Sequence, residues 1–157
     1  MTPMLRTPLA ADYVCLAAWI SDADACARWA GPQLPYPFAA SELAQLLEKP
    51  DSASRVLMLD DETPAGFGQY WRRDAQRVHL GRIIVHPQQR GRGVARQLCR
   101  LLMQEGRAAF AADILSLRVY RDNLAALKTY VGLGFVPVES ESSAEVLAME
   151  CRRTDDF

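Results

Sequence analysis

Two stretches of this 157-residue chain hold residue types at spacings that suit chemistry. The first is Ile83 to Arg100 (IIVHPQQRGRGVARQLCR), where an apolar, strand-like run enters a turn with Gly91 and Gly93 and then a helical pattern. A helix start leaves backbone N–H groups without intrahelical partners, and the helix dipole adds partial positive charge there. Glycines let the chain bend and let a ligand approach the backbone closely. The product is an anion site suited to phosphate. From His86 to Gln104 there are four arginines (Arg90, Arg92, Arg96, Arg100) and no acid. Cations at a helix N-terminus cost ~0.3–1 kcal/mol each when exposed, so Arg90 and Arg92 make sense there if an anion is bound. Arg96 and Arg100, one turn apart, also read as a solvated face. A nucleoside-triphosphate loop needs Gly-Lys-Ser/Thr, and here Val94-Ala95 follows the second glycine. A dinucleotide fingerprint needs a third glycine, and here Arg96 stands in its place.

The second stretch holds Asn123, Ala126 and Tyr130, three and four residues apart and so on one helix face. Ala126 is small enough to leave room for a ligand. By position alone Tyr130 reads equally as a packing tyrosine at a helix end. His79 lies on the strand-like segment Arg77–Val85, which contains no acid. Its ordinary pKa of ~6.5 suits proton transfer. Strict alternation would put it on one strand face with Gly81, Ile83 and Val85. A hydrogen-bonded histidine on the sheet surface is the plainer reading. Gly81 inside a strand marks a bulge or a close backbone approach.

These residues need elements to position them. Apolar patterns predict a short helix around Val14–Trp19, a second one capped by Ser21 and ending near Gly31, and a third capped by Ser41 and stopped by Pro50. The proline-rich stretch Gly31–Phe38 is a loop. Strands are expected at Arg55–Leu59, Ala65–Arg72, Arg77–Val85, Ile114–Tyr120, Phe135–Val138 and Glu145–Met149. Helices are expected at about Gly93–Arg107, with Val94, Leu98, Leu101 and Leu102 on one face, and at Asn123–Leu133, capped by Asp122. This order gives an α/β (α+β) domain with a mixed, mostly antiparallel sheet of about six or seven strands and helices on both faces.

Length limits the chain to one domain. Half the residues are hydrophobic, enough for a core, and 18 Lys+Arg against 19 Asp+Glu argue against a dedicated nucleic-acid binder. The longest apolar run, Tyr13–Ile20, is eight residues, so no membrane span is expected. Met1–Ala10 lacks the apolar stretch of a leader peptide, and a cytoplasmic location is the expectation. Cys15, Cys26, Cys99 and Cys151 are widely spaced; they are expected to be reduced and to bind no metal.

Arg90-Gly91-Arg92-Gly93-Val94-Ala95 fits the pattern Arg/Gln-x-x-Gly-x-Gly/Ala, directly after a strand ending Val85-His86-Pro87. It resembles the acetyl-CoA loop of the GNAT superfamily of N-acetyltransferases. Asn123 to Tyr130, followed by Gly132-Leu133-Gly134-Phe135, is similar to that family's Asn-x-x-Ala-x-x-x-Tyr-x-x-x-Gly-Phe segment. The resemblance implies one GNAT-like domain over 1–157, with residues 54–138 as cofactor core and 1–50 as variable substrate-side helices. It implies that backbone N–H groups of Arg90, Gly91, Arg92, Gly93, Val94 and Ala95 hold the CoA pyrophosphate, with Arg96 also in the cofactor site. Ile84 and Val85 would pair with the pantetheine arm, Val85 N–H would polarise the thioester carbonyl, and Asn123 would touch the arm. Tyr130 would give its proton to the departing thiolate. The acceptor would be a small-molecule or peptide amine.

Many members carry a glutamate base on the strand before the loop, and this chain has none. His79 is the nearest titratable group; Asp22, Asp24, Glu139, Glu141 and ordered water are the other candidates. Trp29, Tyr36 and Phe38 are expected either to line the amine pocket or to pack a loop onto the core. The missing glutamate also motivates an alternative, a non-catalytic acyl-CoA-binding or sensing module. The apolar stretch Ala108–Ala112 and the last strands make a homodimer a candidate assembly.

Overall fold

A computed structural model describes residues 2–152. Seven strands form one sheet: β1 (Met4–Arg6), β2 (Ser52–Met58), β3 (Pro64–Arg72), β4 (Arg77–Val85), β5 (Ile114–Tyr120), β6 (Val136–Pro137) and β7 (Val146–Arg152). Five helices accompany them: α1 (Ala10–Trp19), α2 (Ala23–Ala30), α3 (Ala40–Leu46), α4 (Val94–Phe110) and α5 (Leu124–Gly132). The strand order is β1-β2-β3-β4-β5-β7-β6. Every pairing is antiparallel except β4 with β5, which α4 connects as a crossover.

The two faces of the sheet bury separate cores. One packs α4 and α5 against Val78, Leu80, Leu115 and Leu117, with Leu98, Leu102 and Phe135 fully enclosed. The other packs α1, α2 and α3 against Val56, Met58 and Phe67, with Leu16, Leu43 and Leu47 enclosed. Burying a leucine side chain contributes ~1.5–3 kcal/mol, so the periodic leucines of α4 fix that helix across the strands.

β4 breaks the expected alternation. Gln69 of β3 pairs with Gly81 and Phe67 pairs with Ile84, so Arg82 and Ile83 together oppose one residue. Arg82 takes φ +51°, a left-handed conformation that a non-glycine residue adopts at some cost. This bulge moves every later residue to the opposite face. His79 and Gly81 therefore share a face with Ile84, while Ile83 and Val85 join Val78 and Leu80 on the α4 side. Gly81 is a close approach as well as a neighbour of the bulge. The Trp71 indole lies over it, and a β-carbon there would come within 2.4 Å of the ring.

The parallel pairing of β4 with β5 covers only Arg77–His79 against Ile114–Ser116. Beyond these residues the strands diverge and leave a cleft between them.

Several caps differ from expectation. The Asp22 carboxylate, not Ser21, accepts from Ala25 N–H and starts α2. α3 starts after Ala39 with no side-chain cap, and Ser41 sits inside its first turn. Asn123, not Asp122, caps α5, because its Oδ1 accepts from Ala126 N–H at 3.3 Å. β1, too short for a sequence pattern, pairs with β2 and is tied to α1 by Arg6, whose guanidinium bonds the buried Asp12 carboxylate.

Candidate active site

The turn between β4 and α4 gives the first part of the site. Gly93 takes φ +76° as the residue before α4, and no side chain caps this end. The first turn carries no acid, and its N–H groups have no intrahelical partners, with the dipole behind them. Gly91 also takes φ +76°. A cavity of about 510 Å³ opens here. Its walls include Ile84, Val85, Arg90, Gly91, Gly93, Val94, Ala95 and Arg96 on one side and Asn123 on the other. Arg92 belongs to the same turn but is exposed and does not line the cavity. Gln89, Ala125 and Thr129 line it too, although no motif singled them out.

The main chain of β4 faces this cavity. His86 N–H donates to Ala65 C=O at 2.8 Å, and Val85 stands opposite Gly66 in the register. Hydrogen-bonded and non-bonded pairs alternate along antiparallel strands, so Val85 turns its N–H and C=O away from β3 toward the cleft. Arg90 Nε donates to that carbonyl at 3.3 Å.

A second cavity, of about 110 Å³, occupies the divergence of β4 and β5. It shares Ile83, Asn123 and Ala126 with the first, so the two meet at the inner end of the cleft. Tyr130 lines it from α5, Gly81 and Arg82 from β4, Arg118 and Tyr120 from β5, and Arg28 and Trp29 from α2. Trp29 Nε1 donates to Arg82 C=O at 2.8 Å, which ties α2 to the bulge. Tyr36 and Phe38 pack edge to face on one another and line neither cavity.

Tyr130 is buried, with its ring against Phe135 and its hydroxyl beside the Cys99 thiol. Burial, then the neighbouring thiol, raises its pKa well above that of an ordinary tyrosine, so it is protonated at neutral pH. Burial likewise pushes the Cys99 thiol up to about 12, which makes it inert as a nucleophile.

His79 does not reach either cavity. Its ring packs on Trp71, and its Nδ1 lies 2.8 Å from the Ser116 hydroxyl, at the last closed rung between β4 and β5. Burial, then Arg73, Arg118 and Lys49, pushes its pKa down to about 3. The bulge puts His79 on the face opposite Val85, and its pairing with Ser116 in the closed part of the seam keeps it out of the second cavity. The remaining candidate carboxylates lie elsewhere. Asp22 caps α2, Glu139 bonds Arg121 at 2.9 Å, Glu141 meets Arg73 at 3.5 Å, and Asp24 is exposed in the first turn of α2 and lines neither cavity. Among the described residues, neither cavity is lined by a carboxylate or an imidazole, and no cluster of metal-binding side chains occurs.

The sequence model of the acetyltransferase (GNAT) family matches residues 18–135, more than half of the chain. The chain belongs to the acetyltransferase (GNAT) family. The match takes in the glycine turn, the cleft and α5 of this GNAT, and the family is one of acetyl-transferring enzymes. Solved structures agree in fold. A spermidine N-acetyltransferase from Vibrio cholerae, in complex with CoA and spermine, is 17% identical with TM-score 0.78, covering 96% of this chain and 95% of that one. AAC(6')-Ib in complex with ribostamycin and coenzyme A is 18% identical with TM-score 0.77, covering 98% and 94%. The ribosomal-protein-S18-alanine N-acetyltransferase of Escherichia coli is 16% identical with TM-score 0.68, covering 99% of each. Among the described residues of this GNAT, no helix is long and apolar enough to cross a membrane.

Proposed function

We propose that this GNAT moves an acetyl group from acetyl-CoA to a primary amine by direct attack within a ternary complex. The observation that carries the reading is the uncapped start of α4 opening onto a cleft that continues through the sheet to Tyr130. The first cavity fits a CoA diphosphate and arm: left-handed Gly91 and Gly93, free amides, Arg90 and Arg96, and a strand edge with unpaired main-chain groups. Bound acetyl-CoA would supply the acetyl group as an activated thioester. The chain's part is to hold it, aim it and manage charge and protons.

Val85 N–H donates to the thioester carbonyl oxygen as negative charge grows on it. The Oδ1 of Asn123 is engaged in its helix cap, so the NH₂ group is what it offers the arm. The amine nitrogen attacks from the second cavity. The C–N bond forms, the C–S bond breaks, and the sulfur leaves with the electron pair. Tyr130 delivers its hydroxyl proton to that sulfur and is reprotonated from solvent. The amine's own proton passes to water, since no described lining residue is a base. The cationic surround favours the neutral amine, because nearby like charge disfavours an ammonium.

The same want of a base supports a second reading, an acyl-CoA-binding module without turnover. A panel of amine acceptors with thiol-release detection, run beside acetyl-CoA calorimetry, separates the two. Release above the acceptor-free rate supports transfer; tight binding with no release on any amine supports the module.

A further inference from the structure

The second cavity carries more cationic charge than the chain neutralises. Arg28, Arg82 and Arg118 reach it from three different elements, and none of its described lining residues is an acid. Asp122, just outside, takes care of Arg28, bonding it at 2.5 Å while that guanidinium lies over the Tyr120 ring. The other two have no such partner. Arg82 is half-buried, and its Nη1 donates only to neutral acceptors, Leu47 C=O at 3.1 Å and Gln69 Oε1 at 3.0 Å. Gln69 is itself completely enclosed and fixed by Leu47 C=O and the Ser54 hydroxyl. Arg82 is thus held in place with its charge uncompensated. Arg118 is exposed and makes no ion pair or hydrogen bond among the described residues. Lys49 stands nearby, over Trp71, adding to the same field.

The contrast with Arg77 on the same strand is informative. Arg77 meets Asp74 at 2.9 Å and Glu150 at 3.1 Å. At that end of β4 the arginine is matched by two carboxylates. At the cleft the match is left open.

We propose that the acceptor is a primary amine that also bears an anionic group, a carboxylate or a phosphate, which Arg118 and Arg82 bind while the amine reaches the thioester. This rests on the reading that the amine enters through the second cavity. Polycationic acceptors are disfavoured, because like charges across a site cost binding energy. The site therefore differs in kind from one that receives spermine. A planar guanidinium pairs with either anion through two parallel hydrogen bonds, so arginine suits this task better than lysine.

The test uses the full chain with saturating acetyl-CoA and matched acceptors: β-alanine against β-alaninamide, O-phosphoethanolamine against ethanolamine, and spermidine. Thiol release gives kcat/KM, corrected for the neutral fraction of each amine. Calorimetry on the CoA-loaded protein gives affinity separately. The anionic member of at least one pair is expected to exceed its neutral partner by about tenfold or more, the factor one charge-assisted hydrogen bond supplies. Which pair responds identifies carboxylate or phosphate. Arg118→Glu, at an exposed position, is expected to erase the ratio mainly through KM. Spermidine as the best acceptor, ratios at or below one in both pairs, or a ratio unchanged in Arg118→Glu would each overturn the proposal. Should no amine release thiol, calorimetry still decides: anion-selective binding lost in Arg118→Glu sustains the inference while the transferase reading fails, and no anion selectivity ends it.

Discussion

The two mouths of the cleft are built from different materials. On the α4 and α5 side the walls offer chiefly main chain, flanked by Arg90 and Arg96: amides at the start of α4, the free edge of β4, and small residues on α5. On the opposite side they offer side chains, three arginines and two aromatics drawn from α2, β4 and β5. A main-chain site depends on backbone conformation, so it needs only glycines and small residues at fixed offsets. A side-chain site depends on what the fold brings together, and it can change its ligand by single substitutions. Under the proposed function, the first would hold the constant cofactor and the second the variable acceptor.

That division can be broken at its centre by Tyr130→Phe. Positioned acids contribute on the order of 10²–10⁴ in rate, so kcat is expected to fall about 100-fold while acetyl-CoA affinity holds. Rapid-quench or thiol-release kinetics beside calorimetry checks it; an unchanged kcat removes Tyr130 from the chemistry.

Gly93→Val probes the main-chain mouth. A β-carbon at Gly93 meets nothing within 4 Å, so the penalty comes from φ +76° alone. A left-handed residue costs ~1–2 kcal/mol, more when β-branched, which predicts about tenfold weaker acetyl-CoA binding. Gly93→Ala should fall between Val and wild type. Equal affinity in all three would mean that the turn is not the diphosphate site.

His79 sharpens the opposite mouth by standing outside it. Its folded pKa, about 3, lies below its unfolded value of ~6.5, so between these limits the unfolded chain binds the extra proton. Its contribution to stability is complete above pH 6.5 and is lost progressively as pH falls toward 3. The melting temperature of His79→Gln should therefore depend less steeply on pH in that window. Its kcat/KM profile should match wild type, with no limb near pH 6.5 in either; such a limb, abolished by the substitution, would return His79 to the mechanism.

An effect on stability is expected from Gly81→Ala, which must push aside the Trp71 indole. Over-packing of this kind costs ~1–3 kcal/mol, visible as a lower unfolding midpoint and a changed indole fluorescence.

The sequence revealed the first mouth almost residue by residue because its parts are adjacent in the chain. Gly91, Gly93 and Arg96 lie within six positions, and Asn123 and Ala126 follow from helical spacing. Strands β4 and β5 were legible for the same reason, as local apolar patterns. The bulge was not. Gly81 hinted at it, but the extra residue is Arg82, and a left-handed arginine has no local signature. That one omission misplaced His79 relative to Ile83 and Val85. The arginine cluster was invisible for a different reason: positions 28, 82 and 118 meet only after the strand order is known. β1 carries no sequence signal because three residues cannot display a period.

The short seam between β4 and β5 has a mechanical consequence. Within the sheet itself, only three residues on each strand pair the β1–β4 half with the half containing β5, β7 and β6. An extended cofactor arm lying along β4 would act as extra rungs and brace the halves against one another. Loading the protein should then slow amide exchange along β5 and raise the melting temperature by mass action, even at amides that no ligand atom touches.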